Sequence, residues 1–140
     1  MYKFAKSLIV ITMMNILYIS CDSENNDPFS PSGPAFDARL SALTTSAGPI
    51  AEAFAPDNQG YSITVANAID SISVIPTAMN TEATIHVWGV GIPLPGYNIA
   101  SGTESPPLSL SVGENRTTVE VTSPNERFSL GYTIIVTRVN

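Results

Sequence analysis

With 140 residues the chain has room for one domain and a single modest core. At 44% hydrophobic and 13% charged residues it has the composition of a globular protein, not a disordered one. Both lysines, Lys3 and Lys6, precede Cys21, which leaves four arginines against 12 acids from Cys21 onward, a side-chain charge near −8. Four scattered arginines without a lysine give no basic patch, which argues against nucleic acid and against electrostatic attraction to an anionic membrane.

Lys3 and Lys6 form a short positive region ahead of an apolar run, Ser7 to Ile19, interrupted only by Asn15. A bilayer span takes about 20 apolar residues, so this run is too short, but it has the length and flanks of a secretory leader. Residues 1–20 are therefore expected to be a signal peptide. Cleavage by ordinary signal peptidase after Ser20 would put bulky Tyr18 at the −3 position. The segment Leu17-Tyr18-Ile19-Ser20-Cys21 resembles a bacterial lipobox instead, with small Ser20 at −1 and with Tyr18 where leucine is usual. The resemblance implies that Cys21, the only cysteine, becomes the lipid-bearing first residue and so holds the protein on a membrane. A plain secreted protein or a spare thiol are the alternatives.

Residues 21–38 are expected to be a flexible acidic tether. Asp22 to Pro34 reads DSENNDPFSPSGP, which has too little apolar surface to offset its ordering entropy. Asp22, Glu24 and Asp27 lack the spacing of a calcium loop and read as a solvated run or as a sorting signal for inner-membrane retention or surface export.

Residues 39–140 are expected to fold as one domain. Hydrophobic residues alternate with Ser, Thr and other polar residues in short runs, the period of half-buried strands. An opening strand covers Leu40 to Thr45. The later runs bury Tyr61, Ile63 and Val65; Ile72 and Val74; Ile85 and Val87; Leu108, Leu110 and Val112; Val119 and Val121; and Tyr132, Ile134 and Val136. Turn chemistry separates them at Asp57-Asn58-Gln59-Gly60, Met79-Asn80-Thr81, Gly113-Glu114-Asn115 and Ser123-Pro124-Asn125. No helical period is present. Seven short strands in this length predict an all-β fold: two antiparallel sheets packed as a β-sandwich.

Leu40-Ser41-Ala42-Leu43, Gly48, Ile50, Phe54-Ala55-Pro56 and Tyr61 with Val65 resemble the first half of the bacterial cadherin-like β-sandwich domain. Val74-x-Pro76-x-Ala78, Ala83 to Val87, Gly113-Glu114-Asn115 and Tyr132-x-Ile134-x-Val136-x-Arg138 are similar to its second half. The resemblance covers about residues 39 to 139. It implies an immunoglobulin-like sandwich of bacterial envelope and extracellular proteins that serves as an accessory or binding module without shared catalytic residues. One departure is the segment from Trp88 to Ala100, longer and more apolar than the usual connection. Its two prolines and three glycines disfavour a central strand.

Catalysis finds little support. His86, the sole histidine, is expected on the solvated face of a strand, and neither a G-x-S-x-G elbow nor an H-E-x-x-H spacing occurs. Asp37, Asp57 and Asp70 stand alone, so no calcium, other metal or cofactor is expected. Trp88, Ile92, Leu94 and Tyr97 are the candidate ligand-contact loop, for a protein or glycan ligand, unless the loop folds back to cap the core. Phe54, Tyr61 and Tyr132 are expected in the core or at corners, and Arg138 is expected to pair within the chain. The expected whole is a lipid-anchored protein of the bacterial cell envelope, on the periplasmic face or the cell surface, acting as a non-catalytic binding or adhesion module. A structural subunit of a larger envelope assembly is the alternative, and an enzyme a distant third.

Overall fold

The structure, a computed structural model, describes residues 33–89 and 91–140. The expected signal peptide, Cys21 and the tether up to residue 32 lie outside the described residues. Residues 33–38, the last of the stretch expected to be a flexible tether, lie against the domain. Pro34–Phe36 form a 3-10 turn, the Pro34 carbonyl accepts a hydrogen bond from Asn80 Nδ2 at 2.7 Å, and the Phe36 ring meets Phe128 edge-on at 5.5 Å.

Among the described residues nine strands follow: β1 (Leu40–Thr45), β2 (Gly60–Val65), β3 (Ser71–Ile72), β4 (Val74–Ala78), β5 (Thr84–Gly89), β6 (Tyr97–Ile99), β7 (Leu108–Ser109), β8 (Gly113–Thr122) and β9 (Ser129–Arg138). One layer is a five-stranded sheet in the order β2-β9-β8-β5-β6. The facing layer consists of the pairs β1-β4 and β3-β7. The alternation forces this arrangement. Tyr61, Ile63, Ile85, Val87, Val119, Val121, Tyr132, Ile134 and Val136 all point to one side of the large sheet, where they meet Leu40, Leu43, Ile72, Val74 and Leu108. The all-β sandwich is the fold read from the sequence.

Three details differ from that reading. The expected strand through Ile72 and Val74 breaks into β3 and β4 at Ser73, which is itself buried; its N–H bonds Ser46 Oγ and its carbonyl accepts the Ser46 N–H. The strand expected from Leu108 to Val112 stops at Ser109, and Val112 is exposed because the chain turns there under the Asn115 side chain, which accepts the Ser111 N–H and donates to the Ser111, Gly113 and Val136 carbonyls. Gly113-Glu114-Asn115, expected as a turn, therefore opens β8. Finally, β2 pairs with β9 in parallel: the connection 46–59 carries the chain from one layer to the other, so β2 enters in the direction of β9.

Two edges of the sandwich are closed by local chemistry. On β2 the outward Ser62 N–H bonds Glu52 Oε2 at 2.9 Å, its hydroxyl bonds Glu52 Oε1, and its carbonyl accepts the Ala51 N–H. On β4 the Val74 and Ala78 N–H groups bond the hydroxyls of Ser105 and Ser101, and the Pro76 carbonyl accepts the Gly102 N–H. Proline fits mid-strand there because its missing donor falls on the outward side.

Candidate binding groove

The outer face of the five-stranded sheet is built from the residues between the core positions. Register places Trp88 on β5 opposite Thr118 on β8, and Thr118 opposite Thr133 on β9. Arg116 projects from the same face two residues before Thr118. Trp88, Gly89, Leu94, Arg116, Thr118 and Thr133 line an open groove of about 570 Å³. A second depression of about 580 Å³ continues across Arg116 and Thr133 toward β2, where Ser62, Thr64 and Glu114 line it.

The loop after β5 shapes one wall. Three glycines let its backbone lie directly on the sandwich. A Cβ on Gly89 would fall 2.4 Å from the Arg116 carbonyl oxygen, one on Gly91 2.5 Å from that of Ser109, and one on Gly96 2.6 Å from that of Val87. Gly91 and Gly96 also adopt left-handed backbone, at φ +78° and +104°. The turn Pro93 to Gly96 is closed by a 2.9 Å bond from the Gly96 N–H to the Pro93 carbonyl and contains a cis Leu94-Pro95 peptide. Leu94 stands at its apex, 91% exposed, and Trp88 is 43% exposed beside it.

His86 braces this same wall from behind. Its Nε2 donates to the Pro95 carbonyl at 2.8 Å and its Nδ1 lies 2.7 Å from Asn98 Oδ1. The histidine expected to be merely solvated is thus a brace between β5, the Pro93–Gly96 turn and β6, since both ring nitrogens meet groups of the chain. β6 itself is a three-residue edge strand inside the segment read as a connection.

The expected contact loop divides in two. Trp88 and Leu94 face outward, while Ile92 and Tyr97 are half-buried and pack on the core, so part of the loop does cap the sandwich. Arg116, Thr118 and Thr133 were not singled out in the sequence. Each is one polar position in an alternating strand, and only the pairing of β5, β8 and β9 brings them beside Trp88.

The other residues named from the sequence have structural work. Tyr132 is fully buried, and its hydroxyl accepts the Leu40 N–H at 3.0 Å and donates to the Pro56 carbonyl at 2.7 Å. Burial holds this phenol above its ordinary titration range. Phe54 stacks on Tyr61, whose hydroxyl bonds the Ala55 backbone. The Arg138 guanidinium donates to the Asn67 and Leu110 carbonyls. Asp37 pairs with Arg39 at 3.0 Å, and that bond keeps the carboxyl below its usual range. Among the described residues no three His, Cys, Asp or Glu side chains gather as a metal ion would need, and no helix is long and apolar enough to cross a membrane.

This architecture and the residues that build it coincide with a known domain. The family model described as "Cadherin-like beta sandwich domain" matches residues 40–139. The chain belongs to that family. A search of curated proteins finds no match. The cadherin-like family is generally non-catalytic, and a sandwich of this kind is a binding or adhesion type of module.

Proposed function

We propose that the protein is a lipid-anchored component of the bacterial cell envelope whose cadherin-like domain is a non-catalytic binding module, with Trp88 and Leu94 as its contact residues. The observation that carries the reading is the way these two side chains are held out. Gly89, Gly91 and Gly96 press the loop onto the backbone of β5, β7 and β8, so the apolar groups stay exposed on a fixed support. Rigid exposed aromatic and aliphatic residues at one place are what binding surfaces use. The apolar run before Cys21 and the absence of a second cysteine support lipidation.

Packing by strand edges into a larger assembly has less support at β2, where Glu52 and Ala51 bond Ser62, and at β4, where Ser101 to Ser105 bond the outer side; β6 is the edge such an assembly would use. The binding reading is tested by comparing the wild-type chain with a Trp88→Ala, Leu94→Ser variant against a purified envelope fraction. Loss of capture in the variant with an unchanged melting temperature is expected, and equal capture refutes it. For the anchor, labelled palmitate is expected in the wild-type chain and not in Cys21→Ala; equal labelling refutes it.

A further inference from the structure

Resting on the reading of the Trp88 face as a binding surface, we infer that its ligand is an acidic saccharide, with a sugar ring on the Trp88 indole and its anionic group at Arg116. The groove lies on the face of the sheet, not at an edge. A peptide adding a strand would pair along an edge, at β6 for example, and would not lie across this face. Among the described residues Trp88, Leu94 and, in the adjoining depression, the half-buried Ile135 offer the apolar surface, much less than a standard protein interface of about 800 Å² per partner requires.

What the groove offers instead is one flat aromatic surface beside a floor of hydroxyls. A pyranose has complementary chemistry: an apolar C–H face that stacks on an indole and a rim of hydroxyls that donate and accept. Thr118 and Thr133 on the floor, and Ser62 and Thr64 in the adjoining depression, do both. The depressions join at Arg116 and Thr133 and cross strands β5, β8, β9 and β2, which at about 4.8 Å per strand is room for more than one ring.

Charge decides the kind of saccharide. Among the described residues Arg39 pairs with Asp37 and Arg138 is bonded to backbone carbonyls; neither Arg127 nor Arg116 has a carboxylate at ion-pair distance, and of these two it is Arg116 that lines the groove. It is exposed on the Trp88 face, and by register the two residues are diagonal neighbours, about 7–8 Å apart at Cα. In a chain of formal charge −6, an unpaired guanidinium beside the only tryptophan selects an anionic group, which it can hold with two parallel hydrogen bonds. Glu114, two residues from Arg116 on the same face, and Glu120, the other diagonal neighbour of Trp88, disfavour any further anionic group, so the fit is to a single acidic ring whose charge is directed to Arg116.

Because Trp88 is the sole tryptophan, its emission reports the site directly. The full chain, held in detergent, is titrated with uronate-containing, sialylated and phosphorylated oligosaccharides and with their neutral parents. At least one acidic series should shift or quench the emission saturably, with at least tenfold lower affinity for the neutral parent. Arg116→Gln should lose at least tenfold toward the acidic ligand while keeping its melting temperature. Trp88→Phe, which retains an aromatic face, should bind more weakly by calorimetry and Trp88→Ala not at all. The inference is overturned if no saccharide alters the emission, or if acidic and neutral forms bind alike and Arg116→Gln changes nothing. Should the saccharides fail while the Trp88→Ala, Leu94→Ser variant still loses a captured envelope component, the saccharide is refuted and the binding module stands.

Discussion

The Tyr132 hydroxyl takes the Leu40 N–H and gives its own proton to the Pro56 carbonyl, so one phenol ties the first strand and the 46–59 connection to β9. Phenylalanine would keep the ring and leave a buried N–H without a partner. Tyr132→Phe should therefore lose about 1–3 kcal/mol, read as a lower urea midpoint at an unchanged slope. The raised titration of this phenol also fixes a sign: its contribution is complete below the unfolded value of about 10 and is lost as pH climbs above it. Wild-type stability should fall in that alkaline range more steeply than that of Tyr132→Phe. Asn115 is the second such residue, 1% exposed with four hydrogen bonds to the chain. Asn115→Leu should cost about 3 kcal/mol in the same assay, since it strands the partners at Ser111, Gly113 and Val136. Core tyrosines announce themselves in a sequence through alternation. Asn115 does not, because an asparagine two residues after a glycine looks like a turn whether it sits in the turn or builds one from inside the next strand.

At the scale of elements, Glu52 does for β2 what a neighbouring strand would do. Its carboxylate accepts the Ser62 N–H, and that bond holds its titration below the usual range. The cap is therefore fully present above the ordinary carboxylate pKa and is lost as pH falls through the lowered value. Glu52→Ala should self-associate with rising concentration at neutral pH, and the wild-type chain should do so only in acid; light scattering checks both. Gly96 is the element-scale hinge of the groove. A methyl group there would meet the Val87 carbonyl and the His86 ring, so Gly96→Ala should lower stability by more than about 1 kcal/mol and shift the Trp88 emission. Strands were readable wherever apolar residues alternated over several positions, which is why β2, β5, β8 and β9 lie where period two puts them. β6 escaped notice because three residues between glycine and alanine carry no period, and its strand character comes from β5 alone. The groove was half readable for the same reason: Trp88 and Leu94 stand out by type, whereas Arg116, Thr118 and Thr133 gain meaning only through register between strands far apart in the chain.

Across the whole molecule the two ends of the sandwich differ. Residues 33–38 dock beside the turns 79–83 and 123–128, through Asn80, Asn125 and Phe128. β5 starts at that end and brings Trp88 to the middle of the large sheet, opposite Thr118 of β8 and in line with Thr133 of β9. On the proposed reading, an anchor upstream of Gly33 and a ligand on Trp88 pull against each other with a component along the strands. Ladder hydrogen bonds run across strands, so such a pull shears them together instead of unzipping them singly. The contacts of Pro34 and Phe36 would peel away first and take up slack. Beyond them, the five residue pairs of β1 and β4, from Leu40–Ala78 to Thr45–Val74, would share the load at once. A domain wired in this way is suited to staying folded while it is being tugged.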